Sequence, residues 1–228
     1  MSSTEWGGGC SVNHPNLYRG KEMDEFFEEV TETLFYGSLP DFQKIPLVMM
    51  LEEFDRRGWT DKRKLAYIMA TTYHETNRFK ASSEYGKGKG RDYGEPLLMI
   101  RGVKKAFYGR GWVQLTWLQN YAKLSVAATM ALGRPIDLVN DPDKVFEDDE
   151  VNAFITFEGM STGLFTGRKL GDYIGNGKCD YINARRVING TDRAADIAEV
   201  AKKFESALEH VDLGDKDGTK QRYFRFRK

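Results

Sequence analysis

The chain has 228 residues, 40% hydrophobic and 30% charged, which is enough for one sizeable core without disulfide staples. Its 34 basic and 34 acidic side chains cancel. That excludes a whole-surface field for nucleic acid or an anionic membrane, so electrostatic attraction to a partner has to be local. Two cysteines, Cys10 and Cys179, in no C-x-x-C spacing exclude a disulfide framework and a cysteine zinc site; two free thiols are expected, with a single bridge between them as the alternative.

Residues 1–22 carry Trp6, three successive glycines and Pro15 with little periodicity, and are expected to form an N-terminal arm. Residues 1–9 lack a basic region followed by an apolar stretch, so no signal peptide is expected. Helical spacing starts near Asp24, with Phe26, Phe27, Val30 and Leu34 on one face, and Tyr36-Gly37-Ser38 breaks it. Pro46 is placed in the first turn of a second helix carrying Leu47, Val48, Leu51 and Phe54, stopped by Gly58. Residues 45–51, the most apolar run, are too few to span a bilayer.

Thr60 is the expected N-cap of a third helix, with Leu65, Ile68, Met69 and Thr72 at helical spacing, running into Tyr73-His74-Glu75-Thr76. Seven glycines between 86 and 111 rule out a long helix there, leaving a loop with short strands. Helical pattern returns over 113–130. Pro142 signals another start, with Val151, Phe154, Ile155 and Glu158 as the following face. A short helix is expected over 180–187. Asn189-Gly190-Thr191-Asp192 then turns and caps an amphipathic helix with Ala194, Ile197, Ala198, Ala201, Phe204 and Leu208 as its stripe. The expected organisation is an arm over 1–22, a mainly α domain over 23–212 and a basic tail over 213–228. The tail alternates basic and aromatic residues, a composition suited to an anionic envelope polymer.

Several residue groups carry chemistry. His74-Glu75 lacks the second histidine four residues on that a helical zinc site needs, since position 78 is Arg. As a carboxylate at the edge of the third helix's apolar stripe and at its negative end, Glu75 is expected to be partly desolvated with a raised pKa, as suits a general acid. The competing role is an ion pair with Arg78 or another basic residue. Glu84 lies in the loop that follows, where it could serve as the second carboxyl group that glycosidic hydrolysis requires across the scissile bond. Tyr108-Gly-Arg-Gly-Trp-Val-Gln-Leu-Thr-Trp117 is dense in groups that stack on sugars or bond hydroxyls, and a buried aromatic cluster would use the same residues.

His74-Glu-Thr76, a glutamate several residues on, Tyr108-Gly-Arg-Gly-x-x-Gln-Leu-Thr-Trp117 and Asn120-Tyr121 together resemble glycoside hydrolase family 19. The resemblance is strongest to the branch found in bacteriophage endolysins. Gly163-x-Phe-Thr-Gly-x-x-Leu170 and Asp180-Tyr-Ile-Asn-Ala-Arg-Arg-Val-Ile-Asn-Gly190 are similar to that branch too, so the resemblance runs in order from about 40 to 208.

It implies a mainly α, lysozyme-like fold with a glycine-rich loop or small β insertion lining a groove. It also implies an inverting glycosidase with Glu75 as acid, Glu84 as base (Glu95 as the alternative) and Thr116 holding the attacking water. His74, Tyr108, Gln114, Trp117, Asn120, Arg186 and Asn189 would bind substrate. The expected substrate is the glycan strand of peptidoglycan, with chitin or an inactive wall-binding role as alternatives. No cofactor or metal, no nucleic acid, no membrane insertion and a monomer are expected. The protein would be made in a host bacterial cytoplasm and act on the wall after release.

Overall fold

The computed structural model describes residues 20–80, 83–100 and 102–213, without the side chains of 98–100. Most of the arm over 1–22, with Cys10, and nearly all of the tail over 213–228 lie outside these residues. Among the described residues eight α-helices follow in chain order: α1 (Lys21–Leu34), α2 (Asp41–Arg56), α3 (Lys62–Glu75), α4 (Leu118–Leu132), α5 (Lys144–Glu147), α6 (Asp149–Thr162), α7 (Tyr181–Ala184) and α8 (Ala194–Leu208). Two antiparallel hairpins accompany them, β1 (Leu98–Ile100) with β2 (Val103–Lys105), and β3 (Ile174–Gly175) with β4 (Lys178–Cys179). This is the mainly α, lysozyme-like arrangement with a small β insertion.

α3 is the central helix. Residues 65–72 are all fully buried, because α8 packs along it and α2 and α6 close the remaining sides. The sequence suggested a one-sided stripe, but a helix enclosed on all sides has none. α1 and α8 pack together through Met23, Phe26, Val30 and Leu34 against the Ala198, Ala201 and Phe204 stripe. A second cluster joins α4 to α6 through Tyr121, Leu124, Ala128, Val151, Phe154 and Ile155. Between α2 and α6, the buried Glu53 accepts from Arg56 and Arg57, and Arg57 continues to Glu158 at 3.0 Å.

Four boundaries differ from expectation for local reasons. α2 begins at Asp41 after Pro40, so Pro46 sits inside the helix rather than in its first turn. The backbone bond a proline removes is offset by burial of Pro46, Leu47, Met50, Leu51 and Phe54. α3 is capped by Asp61, not Thr60: its carboxylate accepts from the Arg63 N–H and also pairs with the Arg63 guanidinium. α4 starts at Leu118, because Gln114 (φ 53°) and Trp117 (φ 70°) are left-handed and Arg110 bridges Leu115 in extended form. α8 is preceded by Arg193 in a left-handed conformation, with no side chain from the 189–192 turn capping it. The expected short helix over 180–187 is α7 followed by a 3-10 turn, Arg185–Val187.

Candidate functional site

Glu75 is the last residue of α3, half-buried, and its position is fixed from both sides of the chain. Beyond it, Asn77, Arg78 and Phe79 are left-handed in succession, with φ of 49°, 64° and 61°. Such residues cost on the order of 1–3 kcal/mol each, so the surroundings have to hold them. The buried Thr76 hydroxyl donates to the Thr72 carbonyl at 2.6 Å and accepts from the Phe79 N–H at 2.9 Å. The buried Gln43 side chain donates to the Arg78 carbonyl, and the Phe79 ring lies against Phe35 and Tyr73.

The basic partner of Glu75 is Arg185, not Arg78, whose guanidinium lies over the Tyr36 ring. Arg185 is 3% exposed; it donates through one N–H to Glu75 Oε1 at 2.5 Å and through Nε to the Asp192 carbonyl at 3.0 Å. The carboxylate at the end of α3 therefore faces a cation as well as the core. α7 delivers that cation. Tyr181 stacks on Tyr67 of α3, ring centroids 5.7 Å apart, and donates its hydroxyl to Glu205 at 2.8 Å. Burial first, and then Glu205, push the Tyr181 phenol up, so it stays a donor. One helical turn after Tyr181, Arg185 points along α3 toward Glu75.

Glu84 is bound into the Tyr108–Trp117 segment by its backbone and its side chain. Its N–H donates to the Gly109 carbonyl at 2.8 Å. Its carboxylate accepts from the Gly109 N–H at 3.1 Å through Oε2 and from the Tyr93 hydroxyl at 3.0 Å through Oε1. A Cβ on Gly109 would stand 2.7 Å from Gln114 Oε1 and 3.2 Å from Glu84 Oε2, so glycine is what lets the two side chains meet there. Glu95, the alternative base, is exposed on the loop after Tyr93.

The segment itself is locked from behind. Arg110, 4% exposed, donates to the Ala106 carbonyl, the Tyr121 hydroxyl and Asp143, and its guanidinium lies 3.5 Å from the Tyr108 ring centroid. Tyr121, whose phenol burial pushes up, donates to the Tyr108 carbonyl at 2.7 Å. Asn152 of α6 accepts from the Trp112 N–H at 2.9 Å. Tyr108 is buried, and Gln114 donates to the Gly111 carbonyl. Thr116 is half-buried, and its carbonyl accepts from the Asn120 amide. Trp117 is 43% exposed, with the Tyr93 ring edge-on at 5.6 Å.

The structure thus draws the predicted residues into two anchored groups. Glu84, Tyr108, Gln114, Thr116, Trp117 and Asn120 share one. His74 and Glu75 end α3, and Glu75 is tied through Arg185 to the segment carrying Asn189, which is exposed, accepts from the Gly190 N–H through its side chain and donates its own N–H to the Arg185 carbonyl at 3.0 Å. Arg186 is also exposed, reaching Asn183 at 3.3 Å, and the buried contact with Glu75 belongs to its neighbour. Thr166, in the Gly163–Leu170 stretch, donates to the Arg186 carbonyl at 2.6 Å and so joins that stretch to this segment.

Arg185 and Tyr93 were missed from the sequence. Helical phase would have found Arg185. Tyr181, Ala184 and Val187 form the buried side of the short helix, and position 185 is one turn from Tyr181, whereas 186 points outward. Tyr93 had no such signal.

A helical core surrounds one buried helix, with a carboxylate at that helix's end and another in a following loop, which is the lysozyme-like class of mainly α fold. No family model matches the chain. In sequence it is similar to two endochitinases of Arabidopsis thaliana. One is 35% identical over 148 residues, 63% of this chain and 49% of the relative. The other is 36% identical over 90 residues, 39% and 29% respectively. The chain spans about half the length, or less, of these curated relatives. In fold it is similar to a bacterial family 19 chitinase (TM-score 0.51, 24% identity, 84% of this chain and 96% of that one). It is also similar to chitinase C from Streptomyces griseus (TM-score 0.53, 22% identity, 84% and 77%). The chain has the family 19 chitinase fold.

Proposed function

We propose that this protein is a glycoside hydrolase that cleaves β-1,4 bonds of an N-acetylglucosamine-containing polymer, with Glu75 as general acid and Glu84 as general base. The observation that carries this reading is the fixing of Glu84. Both its oxygens are held by donors, and it is clasped to a segment that also presents Gln114, Thr116 and the exposed Trp117 ring. A solvated surface glutamate would need none of these contacts. Hydrolysis needs two carboxyl groups in distinct roles, one giving a proton to the leaving oxygen and one taking a proton from water. Glu75 at a helix end and Glu84 on a separate loop provide two different environments for those roles. An exposed indole is a flat apolar platform for a sugar face.

The sequence alone placed peptidoglycan ahead of chitin. The named relatives are endochitinases, and this favours a chitin-type polymer as the first substrate. Peptidoglycan stands as the second reading, favoured by the phage-like motifs around Thr166 and Arg186, which the structure joins by a hydrogen bond.

The test is to incubate the protein with N-acetylglucosamine oligomers and, separately, with purified peptidoglycan, and to identify the fragments by mass spectrometry. New reducing ends inside the oligomer, absent with Glu75→Gln, are expected. Reducing ends from peptidoglycan alone would promote the second reading. Fragments cut only in the peptide stems would overturn both.

A further inference from the structure

We infer that Tyr93 is the positioning residue of the loop carboxylate, tying the orientation of Glu84 to the exposed ring of Trp117. The inference rests on the glycosidase reading and adds to it a residue outside the motifs from which that reading was drawn.

Three observations converge on Tyr93. Its hydroxyl donates to Glu84 Oε1 at 3.0 Å, while the Gly109 N–H holds Oε2, so each oxygen has its own donor and the carboxylate cannot rotate without losing one. Its ring stands edge-on to Trp117, centroids 5.6 Å apart at 75°. Its seat is built by backbone approach. A Cβ on Gly94 would fall 1.9 Å from the Gly88 carbonyl oxygen, and a Cβ on Gly88 would fall 3.1 Å from both the Tyr93 ring and Tyr108 Cβ. The glycines that exclude a helix from this loop are therefore what lets it fold back and present Tyr93 to Glu84. Burial and then the Glu84 carboxylate push the Tyr93 phenol up, which keeps it protonated and donating at neutral pH.

A base has to offer a lone pair to water along one direction. A donor fixed on each oxygen limits the carboxylate to one plane, and a sugar stacking on Trp117 would press on the ring that carries one of those donors. Tyr93 touches Glu84 and Trp117, so it acts through them.

The experiment uses the full chain and whichever soluble oligomer, N-acetylglucosamine or peptidoglycan-derived, the wild type cleaves. Tyr93→Phe keeps the ring and removes the donor. Its kcat is expected to fall roughly tenfold, the scale of one hydrogen bond to a charged group, with KM within about twofold and the melting temperature unchanged. In a Glu84→Gln background the same change should cost little further, because its effect passes through Glu84. Wild-type kcat in Tyr93→Phe, or an undiminished extra loss in the Glu84→Gln background, would overturn the inference. A wild type inactive on both polymers would sink the glycosidase reading instead. The positioning is then read without activity, from the carbon-13 resonance of the Glu84 carboxyl. A shift in Tyr93→Phe, with none in Tyr36→Phe, supports it, and an unmoved resonance overturns it.

Discussion

Arg185 donates to Glu75 at 2.5 Å across 110 residues of chain, joining the end of the central helix to the turn before the last one. Both partners are largely withdrawn from water, so removing either leaves a charge without its counterpart in a poorly solvated place. Arg185→Met is expected to lower the melting temperature and to reduce kcat more than tenfold (roughly, on the 3–5 kcal/mol scale of a broken buried pair). Arg185→Lys should recover stability better than activity, since a lysine cannot hold Glu75 and the Asp192 carbonyl with one planar fork. Thermal unfolding and steady-state kinetics on the same preparations check this. Equal activity in Arg185→Lys and wild type would contradict the role given to the fork.

Glu75→Gln keeps shape and hydrogen-bonding capacity but removes the transferable proton. Turnover should fall by about 10²-fold or more while the far-ultraviolet spectrum stays near wild type, and the unfolding midpoint should drop because Arg185 loses its counter-charge. A variant retaining more than roughly a tenth of the rate would remove Glu75 from the acid role.

Elements whose pattern was set by their own residues were readable in the sequence. The stripe over 194–208, the break at Tyr36-Gly37 and the stop at Gly58 follow from spacing and glycine alone, and the structure has them. What was not readable depended on tertiary partners. Thr60 and Asp61 are both good caps, and the Arg63 guanidinium selects Asp61. Residues 113–117 have helical spacing, but Arg110 pairing with Leu115 and the left-handed Gln114 and Trp117 hold them in a turn. At the site, Glu75 and Glu84 stood out through their motif setting. Arg185 was hidden beside a second arginine, and Tyr93 emerged only from the folding-back of Gly88 onto Gly94.

Gly109→Ala isolates the Glu84 clasp from any change in charge. The added methyl would lie 2.7 Å from Gln114 Oε1, tighter than van der Waals contact, and 3.2 Å from Glu84 Oε2. One of the two side chains has to move, so kcat should fall by about tenfold or more, since small misplacements at a reacting centre are costly. Gln114→Ala in the same chain relieves the nearer clash and should restore part of the rate. No restoration would place the damage elsewhere in the turn.

Acid stability follows from the caps. The Arg63 side chain, despite opposing burial, holds the Asp61 carboxyl below the usual carboxylate range, and the Asn183 backbone and side-chain donors do the same for Asp180. A carboxyl whose folded value is depressed contributes stability that is fully present above its unfolded value, about 4, and is lost as pH falls through the folded value. The melting temperature should therefore decline as pH drops from about 5 toward 3. Asp61→Ala should cost about 1 kcal/mol at neutral pH, as a lost helix cap does, and flatten part of that decline. A scan of melting temperature against pH for both proteins reads it. An identical slope in Asp61→Ala would show that the cap contributes nothing to acid sensitivity.

The stereochemical outcome tests the two-glutamate assignment as a whole. In an inverting glycosidase the base and acid stand roughly 6.5–9.5 Å apart, leaving room for a water, whereas a retaining pair stands about 5–5.5 Å apart and the second carboxylate attacks the sugar itself. Glu75 ends α3, and Glu84 is clasped to Gly109 on a separate loop, so no shared helix turn forces the two together. Glu84 also has a donor on each oxygen, which suits a carboxylate that polarises water better than one that must swing onto an anomeric carbon. The expected course is a single displacement: a β-linked oligomer gives the α-anomer as first product, and no glycosyl ester forms on Glu84. Glu84→Gln should cripple this step, leaving a small residual rate, because an amide cannot take the proton from water. Proton NMR of the nascent product, recorded before mutarotation, decides the matter. An initial β-anomer would mean that Glu84 is not the base of an inverting reaction, and that either another group or the substrate's own acetamido oxygen is the nucleophile.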